Sequence, residues 1–345
     1  MAGHWYSLDG RPVHFVKQKG DPSKTRKTSL WDAIEQNLLP SVTTVKGDIL
    51  RSEGLERWIR ANRDRAHLEL RFKDIPDEAY LGEVDREADR ISLDARDRGT
   101  FVHKIIETFI ENDLKSEGEI ADLVKSDGEI KFENNFFVQY YNLFAKFYRE
   151  HELKATYVEK IIVSEKDFVA GRCDWIGSSP RFPGPVVFAD WKTQKFKEGR
   201  ANFYAEWAVQ LAAYAKGNGS ENAVLLSVAI DTSDLTEDEV KTNVLSPTRI
   251  QFHVWSEGVA FWFDVFSHLA AVWRSPLGKD YDRKMAKRRE HAVKRDPLSA
   301  EDIRNLPVRT AQLEKPKFPV RNKTAFPSAS KSTLPVGTRG NGRGR

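Results

Sequence analysis

Two aspartates, Asp174 and Asp190, stand sixteen residues apart, each near the end of an apolar, strand-like run: Gly171-Arg-Cys-Asp174 and Val187-Phe-Ala-Asp190-Trp-Lys192-Thr. Side chains alternate along a strand, so Asp190 and Lys192 share one face and Trp191 takes the other. If the two strands pair, two carboxylates and one ammonium converge at one edge of a sheet. Like charges held that close are costly unless a cation or a phosphate uses them. Hard divalent cations such as Mg²⁺ favour carboxylate oxygens and keep waters in their shell. An ion on two fixed aspartates can polarise a phosphate and acidify a water, while a lysine orients the water or stabilises the developing charge. An isolated Asp-x-Lys equally describes a surface ion pair on an edge strand, so the surrounding elements carry the argument.

Those elements are legible from periodicity. Residues 156–163, 168–176 and 186–192 alternate with period two and read as three consecutive strands joined by Gly- and Pro-rich turns. Residues 201–215 read as a helix, 223–230 and 249–255 as strands, and 258–273 as an apolar helix. Upstream, Asp9-Gly10 predicts a short hairpin between Trp5 and Val16, and a helix opens at Leu30 and stops at Pro40. The segment from Ser41 to Thr44 fits a strand or a helix N-cap. A helix from Leu55 carries Arg57, Trp58, Arg60, Arg63 and Arg65. A charged helix over 80–95, a break at Gly99-Thr100, a helix over 101–112 and a polar connection over 115–129 follow. The aromatic-rich stretch 132–151 reads as a long core helix. The fold expected is α/β, a mixed central sheet flanked by helices. It has a helical N-terminal region (1–96) walling the substrate site, a core over 97–281, and a basic, largely disordered tail over 282–345.

Composition bounds the setting. Among 345 residues no apolar run is long enough to span a bilayer, and the N-terminus lacks the form of a signal peptide, so a cytoplasmic protein is expected. Cys173 is the only cysteine, which excludes an intramolecular disulfide and suits a reducing compartment; a small strand residue of this kind is expected to pack rather than react. The net charge of +4 is uneven, because residues 283–345 hold 17 Lys and Arg against 5 Asp and Glu. A mildly acidic body with a basic appendage suits a metal-binding core that attracts nucleic acid or a partner protein, and basic tails also serve solubility.

The order of strand with Gly-x-x-Asp, turn, apolar strand ending Asp-x-Lys-Thr, and amphipathic helix resembles the PD-(D/E)XK nuclease superfamily. Gly99-Thr-Phe-Val-His103 resembles the Gly-x-x-x-His helix of its RecB-type exonuclease branch. Glu159 stands on the first core strand where relatives carry an acidic residue, and Gln210-Leu-Ala-Ala-Tyr214 resembles that branch's Gln-x-x-x-Tyr signature. The likeness covers about residues 97–230. The segment Pro40-Ser-Val-Thr-Thr, followed by a helix with Trp58, is similar to the start of phage-encoded exonucleases of the branch. The superfamily's proline before the first aspartate is replaced here by Cys173.

The resemblance implies that His103, Asp174 and Asp190, with the carbonyl of Trp191, hold Mg²⁺, with Mn²⁺ able to substitute. It implies that Lys192 positions or activates water with support from Gln210. The residues also admit plainer readings. His103 and Glu107 lie four apart beside an apolar stripe, so His103 is either a core residue or a ligand whose tautomer Glu107 fixes. Tyr214 packs the helix on the sheet or touches DNA. Glu159 binds metal through water, pairs with Arg172, or faces solvent, and Arg172 is placed to meet a phosphate. Arg57, Trp58 and Arg60 suit backbone phosphates and an unpaired base, or a solvated helix face. The basic cluster 284–295 is a further electrostatic candidate.

The expected function is a Mg²⁺- or Mn²⁺-dependent DNA exonuclease in phage-type recombination, repair or DNA processing. DNA ends are the expected substrate, and a recombination or single-strand-binding protein is the expected partner for the tail. A non-catalytic nucleic-acid-binding protein on a nuclease fold, and an endonuclease on the same core, are the alternatives.

Overall fold

The computed structural model describes residues 3–18, 20–50, 53–112 and 134–295. The expected polar connection over 115–129 and the basic tail from residue 296 lie outside the described residues. The centre is a five-stranded sheet in the order β5-β6-β7-β8-β9, formed by β5 (Lys154–Ser164), β6 (Val169–Ser178), β7 (Val187–Gln194), β8 (Val224–Asp231) and β9 (Ile250–Val254). β6 runs antiparallel to both β5 and β7, β7 and β8 are parallel, and β9 returns antiparallel to β8. A parallel pair needs a crossover, and α6 (Ala205–Gly217) supplies it.

Helices cover both faces, so the central strands are apolar on both sides. One core joins Phe188 and Leu225 to α6, to the N-terminal helices α1 (Leu30–Gln36) and α2 (Val42–Ile49), and to α8 (Gly258–Arg274). The other sets Val187, Ala189, Trp191 and Val228 against α4 (Asp77–Asn112) and the aromatic helix α5 (Asn134–Glu150). Trp191 and Phe188 thus occupy opposite cores, as alternation requires, and the indole of Trp191 meets Phe144 edge-on at 5.2 Å. The helix α3 (Glu53–Leu70) packs on the first part of α4 around Ala66, Leu70 and Val84.

One local expectation is corrected. Helix α4 runs unbroken from Asp77 to Asn112, through the break expected at Gly99-Thr100. Its glycine is there for contact: a Cβ on Gly99 would stand 2.7 Å from Oγ1 of Thr193 on β7. The short hairpin expected around Asp9-Gly10 forms: Tyr6 bridges Pro12, the Ser7 N–H donates to the Arg11 carbonyl at 2.9 Å and the Val13 N–H donates to the Trp5 carbonyl at 2.8 Å. β1 (Trp5–Tyr6) also pairs with β4 (Leu39–Pro40), and β2 (Phe15–Lys17) pairs with β3 (Thr25–Lys27). The first residues of the basic segment expected over 282–345 continue helix α9 (Tyr281–Arg295), whose Tyr281 and Met285 are buried. Ser41 resolves as the N-cap of α2, its side chain accepting from the Thr44 N–H.

The far end of the sheet is fastened by Arg249, just before β9. Its guanidinium donates to Asp231 at the end of β8 (3.2 Å), to both carboxylate oxygens of Glu239 in α7 (Glu237–Thr242), and to the carbonyls of Ser233 and Asp234. Arg249 holds the Glu239 carboxyl down at about 2. Because the folded-state pKa lies below the ordinary 4.5, this contribution is complete at neutral pH and is lost as pH falls from the ordinary value toward 2. Replacing Arg249 with Met leaves two carboxylates without their cation and should cost about 3 kcal/mol at pH 7. Urea unfolding checks this, and the difference from wild type should shrink in acid.

Candidate active site

The ladder between β6 and β7 ends at Trp175↔Ala189. The next facing positions along these strands are Asp174 and Asp190, so both carboxylates sit where the strands part. Beyond the parting, β7 continues on β8 as far as Gln194↔Asp231, while the start of β6 stays on β5. In place of a cross-strand carbonyl, the Trp191 N–H donates to Oδ2 of Asp174 at 2.9 Å. That oxygen lies 3.8 Å from Nδ1 of His103, which α4 brings across the gap.

Asp190 is only 2% exposed. Its Oδ1 accepts from Nε2 of Gln210 at 3.1 Å. Its Oδ2 is buried without a well-directed hydrogen bond and faces the Lys192 ammonium at 2.7 Å. Burial pushes the Asp174 carboxyl up, and the neighbouring Asp190 charge pushes it further, against His103, Lys192 and the Trp191 N–H. Burial alone would lower Lys192, but the carboxylates of Asp190 and Asp174 outweigh it and hold the ammonium above its ordinary range. Lys192 is therefore a cation at neutral pH, suited to stabilising negative charge.

The donor chemistry fits a hard divalent cation: two facing carboxylates, the charge of Asp190 making Asp174 costlier to ionise, and one oxygen engaged by a single ammonium. The set is not closed in this arrangement, because among the described residues no three His, Cys, Asp or Glu groups are gathered to hold a metal.

Gln210 is buried on α6, and Tyr214 lies one turn further along the same face. Tyr214 rests on β6 at Gly171, where a Cβ would stand 2.7 Å from both the ring and the hydroxyl, so only glycine admits the tyrosine. Burial raises the Tyr214 phenol well above its ordinary range, which fits helix-to-sheet packing. Cys173 is buried and its thiol is likewise pushed up, as a packing residue requires. Glu159 pairs with Arg172 at 2.5 Å, and Arg172 is turned to it. Burial first, then the Asp174 charge, pushes the Glu159 carboxyl up to about 7. Glu107 makes no hydrogen bond to His103 among the described contacts and instead adds to the negative charge acting on Glu159. Trp58 and Arg60 lie exposed on α3, and Arg60 caps back onto the Glu56 carbonyl. On α9, Lys284 lies over the Trp31 ring at 5.4 Å.

One residue beside this cluster escaped the sequence reading. Lys46 of α2 is 9% exposed, and its ammonium donates to Oε1 of Gln210 and to the Glu206 carbonyl, both at 3.3 Å. Burial lowers it to about 8, and the Lys192 charge contributes. The available signal was a lone lysine inside the helical apolar stripe Val42, Val45, Lys46, Ile49.

Residues 71–222, the stretch that holds His103, Asp174, Asp190, Lys192 and Gln210, match the PD-(D/E)XK nuclease superfamily. No curated protein matches the chain. No helix among the described residues is long and apolar enough to cross a membrane.

The close approach of Gly99 to Thr193 sets how near α4, and with it His103, stands to β7. Gly99→Val should push the helix off the strand and cost about 1–3 kcal/mol by overpacking. Thermal unfolding measures the cost, and the histidine resonance of His103 should shift while those of the remote histidines His253 and His268 do not.

Proposed function

We propose that this protein belongs to the PD-(D/E)XK nuclease superfamily and is a metal-dependent DNA exonuclease. It hydrolyses phosphodiester bonds from DNA ends in phage-type recombination, repair or DNA processing. The observation that carries the reading is the pair of carboxylates at the parting of β6 and β7, with the Lys192 ammonium 2.7 Å from Asp190. A structural ion pair does not require a second, largely covered carboxylate facing the first.

Asp174 and Asp190 are the residues that would hold a divalent cation, Mg²⁺ with Mn²⁺ as substitute. His103 and the Trp191 carbonyl are the additional donors that the family likeness suggests. When bound, such an ion supplies Lewis acidity toward the scissile phosphate and lowers the pKa of an attacking water. The chain's own groups do the rest. Lys192, held protonated, stabilises the charge that develops on the phosphoryl oxygens and orients the water. Gln210 fixes the rotamer of Asp190 through its Oδ1. His103 stands between α4 and Asp174, where it closes the site on the side away from Gln210.

The N-terminal region, residues 1–96, walls the substrate side of a core over 97–281. The basic segment beyond it serves DNA or a recombination or single-strand-binding partner, and the protein acts in the cytoplasm. Arg57, Trp58 and Arg60 of α3 are the DNA-facing candidates of the N-terminal region.

End-labelled linear duplex and single strands, with closed circular DNA beside them, test the assignment in Mg²⁺ and in Mn²⁺. Linear substrates should shorten from their ends and circles should persist. Lys192→Ala should slow digestion by about 10²–10³-fold, and Asp190→Asn by at least as much. Cleavage of circles would make the protein an endonuclease. Wild-type failure on every substrate, or full activity in both variants, would refute catalysis at this site.

A further inference from the structure

Lys46 is the buried titratable group that the proposed chemistry leaves unused. It comes from the N-terminal region, yet its ammonium reaches the carbonyl oxygen of Gln210, 164 residues away in the chain. The same Gln210 amide donates through Nε2 to Asp190, and Asp190 faces Lys192 on its other oxygen. The result is a line of four side chains from α2 to the parting of the strands.

An amide can present either end to a neighbour, and what fixes it is the partner at its far end. Turned the other way, Gln210 would set its carbonyl oxygen against the Asp190 carboxylate and its NH₂ against an ammonium, two mismatches at once. With Lys46 in place only one orientation has a donor facing an acceptor at both ends. The charge-assisted bond from Lys46 also polarises the amide toward a stronger N–H donor.

A residue in this role must stand on a fixed element, and α2 is fixed at both ends. Ser41 caps it. Near its last turn, Asp48 accepts from the Trp273 indole at 2.9 Å and pairs with Lys279 at 3.2 Å. Lys46 also donates to the Glu206 carbonyl in the first turn of α6, one turn before Gln210. Burying an ammonium against one amide and one carbonyl, with no carboxylate in direct contact, is a poor use of charge for stability alone.

We infer that Lys46 is a positioning residue for the active site: it locks the Gln210 amide so that Asp190 is held in the orientation that binds the divalent cation. The inference rests on the nuclease reading above. It makes the N-terminal region a supplier of the site and not only a wall beside it. Lys46 acts through Gln210, and the DNA phosphate is not its partner.

Lys46→Met, Gln210→Met and the double variant test this against Lys46→Arg, each as the full chain. Methionine fills the lysine's space without its donor, so Lys46→Met should keep or raise the unfolding temperature. It should weaken Mn²⁺ binding in calorimetry by about 10–100-fold. On linear DNA it should lower kcat by a similar factor with KM nearly unchanged. Gln210→Met should match it, and the double variant should lose no more than the worse single. Lys46→Arg, which retains a donor, should recover part of the metal affinity.

Unchanged Mn²⁺ affinity in Lys46→Met would overturn the inference. So would losses that multiply in the double variant, or an effect carried by KM and its salt dependence, which would mark a direct phosphate contact. If the wild type digests no DNA, the exonuclease reading falls while the calorimetric arm still decides Lys46. A wild type that binds no Mn²⁺ removes both.

Discussion

The structure depends on keeping two carboxylates together in a place from which water is largely withdrawn. Asp174 and Asp190 face each other one step beyond the last rung between β6 and β7, and burial together with the Asp190 charge raises the cost of ionising Asp174. Charge in such a place persists only where each oxygen has a partner. Four partners come from three elements: the Trp191 backbone and Lys192 from β7 itself, His103 from α4, and Gln210 from α6. The packing of helices on both faces of the sheet delivers these groups to one point.

The parting of the strands is part of the same arrangement. A backbone N–H freed from the ladder must find another acceptor, since an orphaned donor costs about 1–3 kcal/mol. Trp191 finds Asp174. One carboxylate thus takes the place of the next rung of the ladder. Replacing it with a side chain that accepts nothing removes a structural bond along with a charge. The Trp191 indole, packed on the opposite face against Phe144 and Trp175, keeps the strand from rotating into the gap.

The central strands and the Asp-x-Lys were legible because period-two alternation and turn residues are local signals. The pairing of Asp174 with Asp190 followed from strand order alone. What failed in the reading was set by distant partners. Gly99 looked like a helix breaker, yet its reason is Thr193 on a strand 94 positions later. The Trp5 segment was legible as half of a hairpin and does bridge Pro12, but its second partner, Leu39-Pro40, is set by residues far along the chain. Arg249 sits in unremarkable sequence and acquires its role only when Asp231 and Glu239 are brought to it. A lysine in an apolar helical stripe was a visible anomaly. Its target, an amide on the helix that follows the third strand of the central sheet, was not visible.

The same long-range logic explains the placement of the N-terminal layer. The face of α2 that carries Lys46 meets α6, while Asp48 at its end is held by Trp273 and Lys279. The chain just before α2 is held in turn, because the Tyr281 hydroxyl of α9 donates to the Leu38 carbonyl at 2.7 Å. So α2 is braced from behind by the helices that close the fold and presses a single cation forward onto Gln210. A side chain that is to control an amide cannot stand on an element free to slide. The bracing by α8 and α9 supplies the rigidity that an unsupported two-turn helix lacks.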